Sequence, residues 1–372
     1  MPIKLLHTSD IHLEARLAFL EEKADSHRKS QLQTFNRIIE KIISEKFDIF
    51  LIAGDLFDTP FPSENVKIAV LEQFQKLVEH KIYVAIIAGN HDRLEPGSVY
   101  FDKSYQKLNP EYFQIFNQLD KTSWEIPSLD LTVHGVSLFK QKDNSSPLDK
   151  VAKSNRTKFN LALLHGSVEM GKDSTNNPLS LSKLKTADFD YIALGDWHST
   201  KKISENPQVW YSGSPELINI DQVGAGKVLE VTLDNAVTVN ESRVGSVEVL
   251  KIDIDVTDLN TLEDINQKFR ELSLKDLDNK FVELSLTGIR NLNSSFSAEQ
   301  IFELFKNKFY YFKLKDKSKL ELSKEELDDY PEEFLIGKYI RLLESKKGED
   351  YSQNKIIDEA IQLGVRNLQN KQ

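Results

Sequence analysis

The chain alternates short, largely apolar runs with longer stretches in which apolar residues recur every three or four positions. Residues 3–7, 47–53, 83–88, 161–164 and 191–194 are largely apolar and end at Gly, Asp or His, which predicts buried strands. Leu32, Phe35, Ile38, Ile39, Ile42 and Ile43 form one stripe, which predicts a helix over about 28–46. A second helix, carrying Val66, Val70, Phe74, Leu77 and Val78, is expected to start after Ser63 as its N-cap. Strands alternating with helices predict a layered α/β domain. Residues 129–139 and 226–233 are expected to be antiparallel strands on its far side, and the polar stretch 141–156 a surface loop.

A second pattern begins near Val247. Residues 249–256 alternate as a strand, 262–272 as a helix, and 281–287 as a strand. Ser297 with Gln300 forms a capping box that opens another helix, and 310–315 closes a βαβαβ unit. Two helical stretches follow Pro331, over about 332–345 and 352–369. The expected organisation is therefore an α/β domain over 1–245, a smaller α/β domain over 246–330, and C-terminal helices over 331–372.

Composition narrows the class. The chain is 40% hydrophobic and 28% charged, as a water-soluble globular protein is, and no apolar run is long enough to span a membrane. The first ten residues hold only the apolar pair Leu5 and Leu6, so no signal peptide is expected. With no cysteine there are no disulfides and no thiolate–metal sites, which fits a cytoplasmic protein. The net charge of −10 argues against non-specific binding of nucleic acid over the whole surface. A polyanionic substrate would need a locally positive path, or neutralisation by bound cations.

The chemistry sits where the apolar runs stop. They lead into Asp10-Ile11-His12, Gly54-Asp55-Leu56-Phe57-Asp58, Gly89-Asn90-His91-Asp92, His165-Gly166 and Gly195-Asp196-Trp197-His198. In open α/β sheets the ligand site lies beyond the carboxyl ends of the strands, so these groups are expected at one edge. Mixed imidazole and carboxylate donors favour Mn²⁺, Fe or Zn²⁺ over Ca²⁺. There are more donors than one ion needs, whereas two ions about 3.5–4 Å apart sharing a carboxylate would use them.

That succession resembles the calcineurin-like metallophosphoesterases. The stretches His7-Thr8-Ser9-Asp10-Ile11-His12-Leu13, Leu56-Phe57-Asp58 and Tyr211-Ser212-Gly213-Ser214-Pro215 are similar to the DNA double-strand-break repair nucleases of the bacterial SbcD type. The resemblance covers roughly residues 1–245; the segment after Val247 matches the DNA-capping domain of those nucleases in position and α/β character only. It implies two packed mixed β-sheets flanked by helices, a smaller α/β cap and C-terminal helices. It also implies that Asp10, His12 and His198 hold one ion, Asn90 and His165 the other, and that Asp55 bridges them. A metal-bound hydroxide would then attack phosphorus, with His91 facing the leaving oxygen and Asp92 orienting its ring. Members usually carry Gly-His-x-His at the last motif; Asp196 stands in place of the first histidine and is expected to ligate the second ion.

The implied function is hydrolysis of DNA phosphodiesters with two divalent ions, Mn²⁺ first among them. The implied partners are DNA, a coiled-coil SMC-like ATPase of the SbcC type docking on the C-terminal helices, whose default reading from their apolar stripes is packing within the chain, and a second copy of the chain. Two rivals stand beside it: a phosphodiesterase or phosphatase for small molecules or phosphoproteins, which the acidic charge favours, and a non-catalytic scaffold for DNA or ATPase, which Asp196 suggests. Lys201 and Lys202 are candidate phosphate contacts, and Trp197 a wall of the site or a base-stacking surface. His7 is expected to pack behind the site, His27 and His80 to lie on the surface, and none of these or His134 to do chemistry.

Overall fold

A computed structural model describes residues 2–168, 177–290, 294–320 and 327–369. The chain divides into two compact units, Met1–Glu248 and Val249–Gln372.

Among the described residues the first unit holds twelve strands: β1 (Ile3–Thr8), β2 (Ile49–Ala53), β3 (Tyr83–Ile87), β4 (Phe113–Ile115), β5 (Ser123–Ile126), β6 (Leu131–Gly135), β7 (Phe159–His165), β8 (Tyr191–Gly195), β9 (Lys201–Ser204), β10 (Gln208–Tyr211), β11 (Lys227–Leu233) and β12 (Val237–Arg243). Its helices are α1 (Ala24–Ser44), α2 (Glu64–Glu79) and the short α3 (Leu181–Thr186). The strands form two six-stranded mixed sheets, ordered β12-β11-β1-β2-β3-β4 and β5-β6-β7-β8-β10-β9.

The apolar runs are continuous because both faces of each central strand are covered. Leu5, Leu51, Ala85 and Ile87 point between the sheets, where they meet Leu131, Val133, Leu161, Leu163 and Ala193. Their neighbours Leu6, Phe50, Ile52, Val84 and Ile86 point the other way, into Phe35, Ile38 and Ile42 of α1 and Phe74 and Leu77 of α2. Fully burying one such side chain contributes roughly 1.5–3 kcal/mol, so truncating Phe50, which is 0% exposed, is expected to cost about 3–5 kcal/mol.

Local differences from the sequence reading have physical causes. β6 pairs in parallel with β7 and antiparallel only with β5, and β11 lies inside the first sheet, antiparallel to β1. Pairing direction is a property of the partner strand and leaves no mark on a short apolar run. Ser63 precedes α2 in an extended conformation, but its side chain makes no capping hydrogen bond. His27 is buried, not superficial: its Nε2 meets Leu217 O at 2.5 Å.

The second unit is built on β13 (Glu248–Asp255), β14 (Lys280–Thr287) and β16 (Tyr311–Asp316), in the order β13-β14-β16, with β14 and β16 parallel. Helices α4 (Leu262–Glu271) and α5 (Ala298–Phe305) supply Ile265, Phe269, Ile301 and Phe305 to its core. The Ser297–Gln300 capping box is present, and Thr261 with Asp264 forms a second one at α4. A two-stranded ribbon joins β15 (Ile289–Arg290) to β17 (Lys319–Leu320). The last helices, α6 (Leu335–Glu344) and α7 (Tyr351–Gln369), pack Ile336 and Ile340 against Ile357, Ile361 and Val365. Among the described residues no helix is long and apolar enough to cross a membrane.

Candidate metal centre

The carboxyl ends of β1, β2, β3, β7 and β8 deliver the polar residues, and the backbone there bends sharply. Asp10, His12, Asp55 and Asp196 all have positive φ, at 52°, 49°, 52° and 102°. Non-glycine residues are held in that region only where surrounding bonds over-determine it. Those bonds are Asp10 N to Gly54 O at 3.1 Å, His12 N to Asp55 O at 3.0 Å, and Asp196 N to the Asp10 carboxylate at 3.0 Å. Space is the second constraint. A Cβ at Gly89 would collide with the Asp55 carboxylate, and one at Gly195 with Ala53 O.

Asp55 lies at the middle. Its Oδ2 is 3.6 Å from His12 Nε2 and 3.5 Å from His165 Nε2. On one side His12 Nε2 and His198 Nε2 are 3.3 Å apart, and His198 Nε2 is 3.9 Å from Asp10 Oδ1. On the other, His165 Nε2 is 2.8 Å from Asn90 Oδ1 and 3.9 Å from Asp196 Oδ1. Asp10, His12 and His198 place one ligand atom each within 4.8 Å of one another; Asp10, Asp55 and His165 do the same, as do His12, Asp58 and His91. The structure thus brings together all seven residues expected as ligands.

The donors suit divalent cations. Asp10, His12, Asp55 and His165 are buried, and among the described residues no Lys or Arg pairs with Asp10, Asp55 or Asp196. Burial acts to raise the Asp55 carboxyl, but His165, His12 and His91 around it outweigh burial and hold it well below the usual carboxylate range. Burial likewise acts to lower His165, and Asp55, Asp10 and Asp196 drive it well above its ordinary value. The cluster therefore attracts positive charge strongly. Two imidazoles are already aimed: His12 Nδ1 faces Asp58 Oδ1 at 2.9 Å and His165 Nδ1 faces Ala53 O at 2.8 Å, so each Nε2 points toward Asp55 and would present its lone pair there on losing its proton.

His198 is set differently. Gln222 Oε1 accepts from Ile218 N at 2.9 Å and Asn219 N at 3.1 Å, so its amide NH₂ donates to His198 Nδ1 at 2.8 Å. A neutral His198 then carries its proton on Nε2, where it can bond to the His12 lone pair. Ligation through that Nε2 requires the proton to move to Nδ1 and the Gln222 amide to turn.

Asp92 corrects an expectation. Its carboxylate does not orient the His91 ring; it accepts from Asp55 N at 3.2 Å, Phe57 N at 3.2 Å, Gly89 N at 2.7 Å and Tyr100 OH at 2.5 Å. It ties two ligand loops together. Burial, then Asp55, raise it to about 6 against those bonds. The partner of His91 is Asp58, whose Oδ1 lies 3.4 Å from His91 Nδ1. That hydrogen bond, with Asp55 assisting against burial, raises His91 to about 9, and the side chain stays 38% exposed. Asp58 stood in the motif, but its service to both His12 and His91 depends on how the loops fold together. Gln222, and Ser167 donating to Asp196, carried no sequence signal.

The outer candidates divide. Lys202 pairs with Glu205 and lies 5.3 Å over the Trp210 ring, so a phosphate contact finds no support for it. Lys201 lies 5.1 Å over the ring of Trp197, which is 51% exposed. His7 is buried against Tyr191 OH at 2.9 Å and pushed down to about 3 by burial, which makes it packing.

Two mixed sheets carrying a cluster of histidine and carboxylate donors define a metallophosphoesterase. The model for the calcineurin-like phosphoesterase family matches residues 3–200, and the chain belongs to that family, whose members use a dinuclear metal centre. It is 30% identical over 264 residues to the SbcD component of the nuclease SbcCD of Staphylococcus epidermidis, spanning 65% of this chain and 69% of that protein. That identity supports placement in the SbcD-like branch. It is 25% identical over 276 residues to the uncharacterized metallophosphoesterase YhaO of Bacillus subtilis, spanning 71% of this chain and 66% of that protein. The solved calcineurin-like phosphoesterase YfkN of Bacillus subtilis aligns at 13% identity and a TM-score of 0.41 over 65% of this chain and 91% of YfkN.

Proposed function

We propose that this phosphoesterase cleaves phosphodiester bonds of DNA, with Asp10, His12 and His198 holding one divalent ion, Asn90, His165 and Asp196 the other, and Asp55 both. The observation that carries the two-ion reading is the position of Asp55 Oδ2, about equally far from His12 Nε2 at 3.6 Å and His165 Nε2 at 3.5 Å. Bound divalent ions lower the pKa of water and neutralise phosphate charge. The chain's own residues do the rest. His91, held protonated by Asp58 and partly exposed, gives a proton to the departing oxygen or stabilises its charge. Asp92 keeps the loops of Asp55 and His91 in register. Mixed nitrogen and oxygen donors, with a carboxylate at 196, favour Mn²⁺.

The likeness to a component of SbcCD extends the proposal to partnership with an SbcC-type ATPase through the C-terminal helices, where Leu335, Leu342, Ile356 and Leu363 are exposed. The segment after Val247, which carries none of the ligand motifs, would select polymeric substrate. The test compares linear duplex DNA, single-stranded DNA and a small chromogenic phosphodiester with purified protein in Mn²⁺ and in EDTA. DNA cleavage that EDTA abolishes is expected. Hydrolysis of the small diester alone would assign the protein to small phosphoesters, the reading its net charge of −10 favours.

A further inference from the structure

Sequence pattern alone gives the stretch after β6 no chemistry, but the fold places it beside the metal centre. β6 runs parallel to β7, so its carboxyl end opens on the same edge as His165. The chain leaving it is pinned across that edge. Leu138 N donates to Ala88 O at 3.0 Å and Leu138 O accepts from Leu94 N at 2.8 Å, on either side of the turn that carries Asn90 and His91. Farther on, Asp143 O accepts from Asn177 N at 2.8 Å. Asn177 O in turn lies so close to Gly166, next to His165, that a Cβ there would collide with it. Residues 139–142 therefore form a strap fastened at one end to the loop of His91 and at the other to the loop of His165.

The strap's side chains are exposed. Phe139 is 38% exposed, and Lys140 and Lys142 are exposed with no ion pair or hydrogen bond among the described residues. Among the described residues the nearby carboxylates are Asp143, which accepts from Ser145 N at 2.9 Å and faces Lys140 and Lys150, Asp149, which is paired with Lys183 at 2.7 Å, and Glu95, which follows the pinned Leu94 and is paired with Arg93 at 2.9 Å. The strap is thus a locally positive tract in a chain of net charge −10. Cations interleaved with an exposed aromatic suit a nucleic-acid strand, whose phosphates meet ammonium groups while a base stacks on the ring.

We propose that Phe139, Lys140 and Lys142 form a contact surface for a nucleic-acid strand beside the metal centre, with Phe139 stacking on a base and the two lysines neutralising phosphates. This rests on the DNA reading above and deepens it, because it names a positive path that the overall charge lacks.

The test uses the full chain, a fluorescein-labelled single-stranded oligonucleotide, and the variants Lys140→Gln/Lys142→Gln and Phe139→Ala. Anisotropy in EDTA over a salt series reads binding without turnover. The double lysine variant is expected to lower the slope of log Kd against log salt by about 1.4, at about 0.7 for each phosphate contact on a single strand. Phe139→Ala is expected to weaken binding about 5- to 150-fold at fixed salt with the slope unchanged. In Mn²⁺ both variants are expected to hydrolyse a small chromogenic phosphodiester at the wild-type rate. Steep salt dependence in the wild type with the same slope in the lysine variant overturns the strap and leaves the DNA reading standing. Wild-type binding that is absent or flat in salt overturns the strap, while the DNA reading is decided separately by cleavage in Mn²⁺. Loss of diester turnover matching the loss of oligonucleotide binding overturns the strap as a surface separate from the centre.

Discussion

The second unit and the metal centre of the first both bury carboxylates and neutralise them in different ways. In the second, Asp316 lies 3.0 Å from Lys355 and 3.6 Å from Arg290, Glu283 lies 2.8 Å from Lys315, and Asp358 lies 2.6 Å from Lys347. In the first, Asp10, Asp55 and Asp196 meet imidazoles, hydroxyls and backbone N–H groups, and among the described residues no Lys or Arg pairs with them. A buried charge is costly unless it is paired. Where the chain supplies the partner, the charge is architecture. Where it supplies imidazoles, which can give up their protons, the site is left able to take cations from solution.

The sharpest way to break this comparison is to neutralise one carboxylate in each unit. Asp55→Asn is expected to abolish turnover on every phosphodiester, and in the metal-free protein it also lowers stability, because it removes the carboxylate that His165, His12 and His91 favour in its charged form. Asp316→Asn is expected to lower stability and spare turnover. Losing the partner of a buried Arg290 costs about 3–5 kcal/mol, and turnover of a small diester per folded molecule stays normal. Calorimetric melting in EDTA and a chromogenic assay in Mn²⁺ check both; loss of turnover per folded molecule in Asp316→Asn matching that of Asp55→Asn would erase the distinction.

His91 and Asp58 come next. His91→Ala is expected to lose at least about 100-fold in turnover, with metal content close to wild type by elemental analysis; loss of metal would make His91 a ligand. The pair also sets a pH dependence. In the metal-free protein His91 is raised to about 9, above its unfolded value near 6.5. Its contribution to stability is therefore fully present below about pH 6.5 and lost as pH rises through about 9. Asp58→Asn should flatten stability measured by urea unfolding in EDTA across that window. A window unchanged in Asp58→Asn would remove the ion pair from the account.

Smaller effects sharpen the description of each ligand. Burial raises the Asp196 carboxyl, and Asp10 and Asp55 add to it against His165 and Ser167, so a neutral imidazole should be accepted there. Asp196→His is expected to retain activity, and Asp196→Ala to raise the Mn²⁺ concentration for half-maximal rate by about 10- to 100-fold. A titration in which Asp196→Ala matches wild type would exclude it as a ligand. The smallest effect is expected at Gln222. A glutamate there could keep accepting from Ile218 and Asn219 and also accept from His198 Nδ1, which frees Nε2 for ligation. Gln222→Glu should lower the half-maximal Mn²⁺ concentration, and a rise would show that the tautomer is not limiting.

The strand ends were readable because burial and chemistry coincide there: an apolar run that stops at Gly-Asp or Gly-Asn-His sets ligating groups at the end of a buried strand. Single partners within the site were less readable. Asp92 follows His91 in sequence, yet its carboxylate is drawn to the N–H groups of Asp55, Phe57 and Gly89, and the more distant Asp58 reaches His91. His27 sat in a polar stretch of α1 and is buried because Leu217 O receives its Nε2. The pairing of β6 with β7, which fixes where the strap lies, depends on strands about 30 residues apart and has no local signature.

Equilibrium dialysis against Mn²⁺, with ions counted per chain, tests the central claim most directly. Wild type and Asp316→Asn are expected to bind two ions, and Asp55→Asn to lose both tight sites. Two ions bound to Asp55→Asn with wild-type affinity, or a single ion bound to wild type at saturation, would contradict a centre bridged by Asp55.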